Sequence, residues 1–496
     1  MSADREWSPQ QEAIFAWFAE PTCDNLVVRA RAGTGKTTTI IEALKHIRWT
    51  IAAAQRGLVC AFNKPIAVEL NERLKYVEKI EAKTLHALGF MFLRSGWDDN
   101  NLKPDDKIEL ERVKAAIIGR APYQWEVLGN VKKLVGFAKN VDPDITIEGL
   151  EALAIERNLD NDVTGEFDAA WMAGVARRAM TASLTKDSQH RISFDDMVFV
   201  PAALQMGMPL YDWIIVDEAQ DMSACQLTLA RAALKPGGHI VIVGDDRQAI
   251  YGFRGADSNC IDRLKRELNA EELGLTTTYR CPKSVVEQAQ RFVPDFMAAD
   301  SAPDGQVLPG TLEDVLEKAR PGDVVLSRTN APLVPLCLSL LKKQVPAKIK
   351  GRDIGKMLAE RAKKLKAVDM EDFERKLARW ADNAVRRALA SNKNVDAKMQ
   401  QIEDVRDTLS AVADGCDEIA DFYDRCEKLF VDMEQDGVTS CVLLSTVHKA
   451  KGLEWERVFM LSATFRDGAG EEENIRYVAI TRAKSALMMV DGHAAV

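Results

Sequence analysis

Apolar and polar positions along this chain follow two rhythms. Near the N-terminus, Leu26–Ala30 is a short apolar run, a glycine-containing turn follows at Ala32–Gly35, and Thr37–Ile47 has helical spacing. Leu58–Ala61 predicts a second strand and Ile66–Leu74 a second helix. Short apolar runs separated by helices predict a parallel, doubly wound sheet, because parallel neighbours need a crossover between them. From Met91 to about Arg191 the β-branched runs thin out, and helical periodicity dominates at Ile108–Ile118, Val127–Asn140 and Ala169–Thr181. Strand patterns resume at Trp213–Val216 and His239–Val243, each ending in an acidic cluster. Beyond Leu275 a second α/β unit is expected, with strands at Val324–Ser327, Val442–Ser445 and Arg457–Leu461. A second helical, charge-rich stretch, 356–436, interrupts it.

Composition narrows the class. With 496 residues, 47% of them hydrophobic and 28% charged, the chain reads as a soluble globular enzyme of several domains. It has no apolar run near ~18 residues and no signal-peptide pattern at Met1–Gln10, so a cytoplasmic protein without a membrane partner is expected. Nine scattered cysteines without a C-x-x-C pair indicate neither a disulfide framework nor a zinc site, and fit a reducing compartment. The net charge of -9 excludes a globally basic nucleic-acid binder, but a local basic and aromatic track is enough to hold a single strand. Lys356–Lys398 carries 12 basic and 7 acidic side chains, a solvated helical face on the plainest reading.

The chemistry begins at Ala30-Arg31-Ala32-Gly33-Thr34-Gly35-Lys36-Thr37, a phosphate-binding loop between a strand and a helix, with Ala30 where glycine is usual. Gly33 and Gly35 let backbone N–H groups face phosphates, and the helix N-terminus adds partial positive charge. Lys36 is expected to reach the β- and γ-phosphates of ATP, and the Thr37 hydroxyl to coordinate Mg²⁺. Such a loop needs an acidic partner on a neighbouring strand. Asp217 and Glu218, directly after Trp213–Val216, supply it: Asp217 for the Mg²⁺ shell, Glu218 to polarise the attacking water.

Asp217-Glu-Ala-Gln-Asp221 resembles the acidic motif of UvrD/Rep/PcrA-type superfamily 1 DNA helicases. The likeness continues, in the family's order, through Val243-Gly-Asp-Asp-Arg-Gln248 and on to Asp257, Tyr279-Arg-Cys-Pro282, Ser445-Thr-Val-His448 to Glu454, and Tyr477-Val-Ala-Ile-Thr-Arg-Ala483. It implies an α/β fold of two RecA-like P-loop lobes, each with a mainly helical insertion. The expected partition is 1–90 with 190–275 for the first lobe, 91–189 for its insertion, 276–355 with 437–496 for the second lobe, and 356–436 for the second insertion. The resemblance also implies roles. Gln248 senses the γ-phosphate or its attacking water, Tyr279 stacks on adenine, and Arg280 and Arg482 neutralise γ-phosphate charge. Glu454 meets the ribose, and Gln10 or Gln11, depending on register, reads adenine.

For DNA, the resemblance implies single-stranded DNA held by stacking rings and polar groups. Phe62, Asn63 and Lys64 follow a strand end, in a segment closer to the F-box DNA helicases; Phe253 stands where many relatives have Trp; Thr84, His86 and His448 match backbone-contacting motifs. The expected function is 3′→5′ ATP-driven unwinding of DNA, acting at single-strand/double-strand junctions, with DNA repair among the expected settings. The alternative is a translocase subunit serving a nuclease or repair partner. Only 14 residues follow Arg482, so a nuclease is expected on a separate chain.

Overall fold

The computed structural model describes residues 6–48, 55–61, 63–77, 79–118, 125–157, 159, 167–250, 260–390, 395–431, 440–466, 468 and 470–492. The chain forms two compact units, Met1–Ala30 with Gly35–Leu275, and Arg31–Thr34 with Thr276–Val496.

The first unit is built on six parallel strands: β1 (Asn25–Ala30), β2 (Gly57–Ala61), β3 (Ile80–Thr84), β4 (Tyr211–Val216), β5 (Leu234–Gly244) and β6 (Glu271–Leu275), in the order β3-β2-β4-β5-β1-β6. The doubly wound sheet read from the sequence forms. Its central strands each carry a continuous apolar run (Leu26–Val28, Trp213–Val216, Ile240–Val243) because both faces are covered. Along each strand alternate side chains enter different cores. Val27, Leu58, Ile214, Val216 and Ile242 face one core, which continues into the helical insertion through Val131, Leu134, Met172 and Val175. Leu26, Val28, Val59, Ile215 and Val243 face the other, with Ile14, Phe15 and Phe18 of the N-terminal helix Pro9–Ala19. The insertion is therefore one hydrophobic body with one face of the sheet.

The second unit holds a seven-stranded parallel sheet: β7 (Gln306–Gly310), β8 (Val324–Ser327), β9 (Ala347–Lys350), β10 (Phe430–Val431), β11 (Val442–Thr446), β12 (Trp455–Leu461) and β13 (Ala483–Val490), ordered β7-β13-β12-β8-β11-β9-β10. Its insertion comprises helices Arg352–Leu365, Met370–Ala390, Val395–Ala413 and Ile419–Leu429. These share a core with the sheet through Phe373, Leu377, Leu409 and Phe422, packed with Val325, Ile349 and Leu444.

Several elements depart from the sequence reading. The helix expected over Thr37–Ile47 is α-helical only from Lys36 to Ala43, and Leu44–His46 tightens into a 3₁₀ turn. Strands β3, β6, β7, β9 and β10 carry no clear apolar run, and the run Ala486–Val490 of β13 is made of residues that suit a helix as well. Ile80–Thr84 and Ala347–Lys350 alternate charge with small apolar residues, and Gln306–Gly310 is an edge strand containing Pro309, a position where the missing N–H costs nothing.

One polar cluster fastens the first insertion to the sheet. Lys139 is fully buried and ion-pairs with Glu109 and Asp196, while Arg112 also pairs with Asp196. Ser193 Oγ donates to Glu109 at 3.0 Å. Burial by itself would raise Asp196, but Lys139 and Arg112 outweigh it and hold its carboxyl below the ordinary range. The side chains come from helices Lys107–Ala115 and Trp125–Val141 and from the segment that re-enters the sheet domain. We expect Lys139→Met to strand Glu109 in the core without its cation and to lower stability by about 3–5 kcal/mol, the cost of breaking a buried pair from one side. Urea denaturation checks this; a loss under about 1 kcal/mol, the scale of an exposed pair, would contradict it.

Candidate functional site

All strands of the first sheet run one way, so their C-terminal ends share an edge, where ligands bind in doubly wound folds. The residues singled out for chemistry follow these ends. Gly35, at φ 77°, caps the helix that begins at Lys36, a left-handed conformation natural to glycine. Lys36 Nζ lies 3.4 Å from Glu218 Oε2, and Thr37 Oγ1 donates to Asp217 Oδ2 at 3.1 Å. After β5, the buried Gln248 donates through Nε2 to Asp245 Oδ2 at 2.7 Å. Lys36, Thr37, Asp217 and Glu218 are thus brought together.

Electrostatics follow from burial. Burial alone would pull Lys36 down, but Glu218, Asp245 and Asp217 outweigh it and hold the ammonium above the ordinary lysine value. Asp217 is pushed up to about 6 by burial and then by the neighbouring Glu218 charge, against the pull of Lys36. Glu218 itself sits at φ 52°. A non-glycine residue there costs roughly 1–3 kcal/mol, strain of the kind that gathers at functional sites.

These residues fit ATP and Mg²⁺. Gly33 (φ 69°) and Gly35 present backbone without side chains at the turn, and a Cβ at Gly33 would lie 2.5 Å from neighbouring side-chain atoms. A hydroxyl and a carboxylate oxygen already converge at Thr37 and Asp217, both hard donors suited to Mg²⁺. A cation there would relieve the disfavoured charge of Asp217.

Of the two glutamines at the N-terminus, Gln11 is the buried one. Its Oε1 accepts from Ser8 N in a capping box, and its Nε2 donates to Thr39 Oγ1 at 2.8 Å, which fixes it against the Lys36–Ala43 helix. Gln10 on the same helix is only partly buried.

Among the residues expected to meet DNA, Asn63 caps helix Lys64–Leu74 by accepting from Ile66 N, and Lys64 is exposed at its start. Thr84 caps helix Leu85–Gly96 by accepting from Ala87 N. Both have local structural work that the sequence reading did not assign. His86, on the first turn of that helix, stacks on Phe194 with ring centroids 4.1 Å apart and planes 19° off parallel. Burial pulls the His86 imidazole down to about 4, so the ring is neutral near neutral pH. His448 lies on the short helix Val447–Ala450 of the second unit. Phe62 and Phe253 lie outside the described residues.

Phe194 was missed from sequence. Its ring is 52% exposed although both neighbouring residues are tied down. Ser193 N donates to Asp196, Phe194 N donates to Asp106 Oδ1 at 2.8 Å, and Asp195 accepts from Asn140. An aromatic in Ser193-Phe-Asp-Asp196, directly before an apolar helix, was the available signal.

In the second unit, the turn Arg31–Thr34 packs with the chain after Thr276. Tyr279 N donates to Gly33 O at 2.9 Å, Ala32 N donates to Tyr477 Oη at 2.9 Å, and Arg31 pairs with Asp295 at 2.9 Å. Thr34 Oγ1 donates to Arg31 O, and Ala30, the last residue of β1, is fully buried. Tyr279 keeps its ring 46% exposed. Arg280 Nε is 2.5 Å from Glu454 Oε2, bringing those two together. Arg482 is almost wholly buried and donates to the carbonyls of Val478 and Leu453.

The chain matches the UvrD/REP helicase N-terminal domain over residues 7–269 and the UvrD-like helicase C-terminal domain over 338–491. It is 26% identical to F-box DNA helicase protein 1 of Schizosaccharomyces pombe, covering 94% of this chain and 55% of that protein. It is 24% identical to ATP-dependent DNA helicase UvrD2 of Mycobacterium tuberculosis, covering 97% and 77%. It is 26% identical to ATP-dependent DNA helicase PcrA of Staphylococcus epidermidis, over 58% of this chain and 39% of that one. The chain thus spans about half the length of the F-box relative and less of PcrA. With the phosphate loop and its acidic partners in place and the N-terminal family match alone spanning more than half of its residues, the chain belongs to the UvrD/REP family of ATP-dependent DNA helicases.

Proposed function

We propose that this protein hydrolyses ATP to move 3′→5′ along single-stranded DNA and separate duplex. The observation that carries the reading is one sheet edge bearing both kinds of group: Lys36, Thr37, Asp217 and Glu218 for phosphate chemistry, and the exposed Phe194 ring on His86 for a base. The polarity comes from the family resemblance. Lys36 supplies a fixed positive charge to the phosphates, and Thr37 with Asp217 would hold Mg²⁺. Bound Mg²⁺ supplies charge neutralisation at the phosphate oxygens. Glu218 orients and polarises the attacking water, and Gln248 reports the state of the γ-phosphate. Arg280 and Arg482 neutralise charge that develops in the transition state, Tyr279 stacks on adenine, Gln11 reads its edge, and Glu454 meets the ribose. Asn63, Lys64 and His448 would contact the DNA backbone.

A second reading, a translocase that relies on a partner such as a nuclease to process duplex, is favoured by the second insertion. Phe373 and Phe422 are buried in its core, while Trp380 and Tyr423 carry Arg361 and Lys363 at 4.8 and 5.5 Å from their ring centroids. These rings are engaged within the insertion, which leaves little aromatic surface for gripping duplex.

Single-turnover displacement of a tailed duplex, with a trap against rebinding, separates the readings. An autonomous helicase displaces the strand from a 3′-tailed duplex and not from a 5′-tailed one. A partner-dependent translocase fails on both while moving rapidly on single strands, and preference for the 5′ tail would overturn the polarity. For the DNA contact, Phe194→Ala is expected to weaken single-strand binding by ~1–3 kcal/mol, the worth of one base–ring stack. ATPase without DNA should hardly change. Fluorescence anisotropy with a labelled oligonucleotide checks this, and unchanged affinity would remove Phe194 from the DNA path.

A further inference from the structure

Gln220 follows two residues after Glu218, in a 3₁₀ turn, and is completely buried. A buried primary amide must place both ends on partners, or it costs more than an apolar residue of its size. Gln220 does so in one orientation only. Its Nε2 donates to Glu218 Oε2 at 2.5 Å, and its Oε1 accepts from Asp245 N at 3.1 Å. Reversing the amide would set an oxygen against a carboxylate and an N–H against an N–H, so the partners fix the assignment.

The chain of contacts continues. Asp245, which donates its backbone N–H to Gln220, accepts through Oδ2 from Gln248 Nε2 at 2.7 Å. Lys36 Nζ reaches the same Glu218 oxygen as Gln220, at 3.4 Å. Gly244 admits the arrangement: a Cβ there would lie 2.7 Å from Gln220 Oε1 and 2.9 Å from Ile261 Cδ1. The need for an amide explains a glycine at the end of a buried strand, where glycine otherwise weakens the sheet.

We infer that Gln220 is a positioning residue for ATP hydrolysis, clamping the Glu218 carboxylate to the loop that carries Gln248. This rests on the reading of Glu218 as the group that polarises water. Glu218 sits in a strained backbone conformation, and a carboxylate on three rotatable bonds needs a second tether to aim at one water. The amide provides it, and it couples the carboxylate's aim to the Gln248 loop, so that both respond together to the state of the γ-phosphate.

The test is steady-state ATPase at saturating single-stranded DNA for Gln220→Glu, Gln220→Met and Gly244→Ala, with Glu218→Gln as the control. Binding of a non-hydrolysable ATP analogue is measured alongside. Gln220→Glu keeps shape and the acceptor for Asp245 N but turns a donor into a like charge. Gln220→Met keeps length and volume and removes both hydrogen bonds. Both are expected to lower kcat about tenfold to a hundredfold, the scale of a lost hydrogen bond to a charged group, with KM and analogue affinity within about twofold of wild type. Gly244→Ala should act in the same direction by displacing the amide. If Gln220 only fills space, Gln220→Met turns over normally, and that result overturns the inference. Equal losses in analogue binding and kcat also overturn it. Should Gln220→Met fail to fold, the isosteric Gln220→Glu carries the test. An active Glu218→Gln sinks the reading of Glu218 and this inference with it. An inactive Glu218→Gln beside normal Gln220 variants sinks the inference alone.

Discussion

The phosphate site of the first unit depends on one partly buried lysine among carboxylates. Lys36 stands at the start of its helix with Glu218, Asp245 and Asp217 around it, and its ion pair with Glu218 offsets charge that the sheet edge would otherwise bury unpaired. Even so, burial and then the neighbouring Glu218 charge push Asp217 up to about 6, against the pull of Lys36. The glycines of the turn, the left-handed Glu218 and the Gln220 amide all serve to bring these charges to one place.

The same sheet also supports the exposed ring of Phe194. The insertion that precedes Phe194 is not a loose attachment. Its core runs into the sheet's through Val131, Leu134 and Met172, and its buried Lys139 grips Asp196, two residues past the ring. The segment between Ser193 and Asp196 is therefore held by hydrogen bonds and ion pairs while Phe194 itself points outward. Proposed base contact and proposed phosphate chemistry share a rigid frame, which is what coupling hydrolysis to movement requires.

Much of this was legible in the sequence. Parallel strands with both faces covered leave continuous apolar runs, so β1, β2, β4, β8 and β11 stand out, and loops fixed by glycine and by acids at strand ends mark the phosphate site. Strands such as Ile80–Thr84 and Ala483–Val490 were not legible, because their residues also suit helices and only their place in the sheet decides the matter. Among site residues, spacing revealed those whose type is demanded by chemistry. It did not reveal Gln220 or Phe194, whose importance lies in what they touch, nor did it show that Asn63 and Thr84 cap helices. Gln10 and Gln11 are indistinguishable in a string of letters; a capping box and a bond to Thr39 separate them in space.

On the proposed function, charge on Lys36, held at the sheet edge, drives DNA-dependent hydrolysis. The direct measurement is the ATPase rate of wild type and Lys36→Ala, each with and without single-stranded DNA, together with the affinity of both for a labelled strand. DNA is expected to accelerate the wild type, and Lys36→Ala to lose about a hundredfold to a thousandfold in rate under both conditions, as when one electrostatic stabiliser is removed, while binding the strand normally. A Lys36→Ala protein that hydrolyses ATP near the wild-type rate would contradict it.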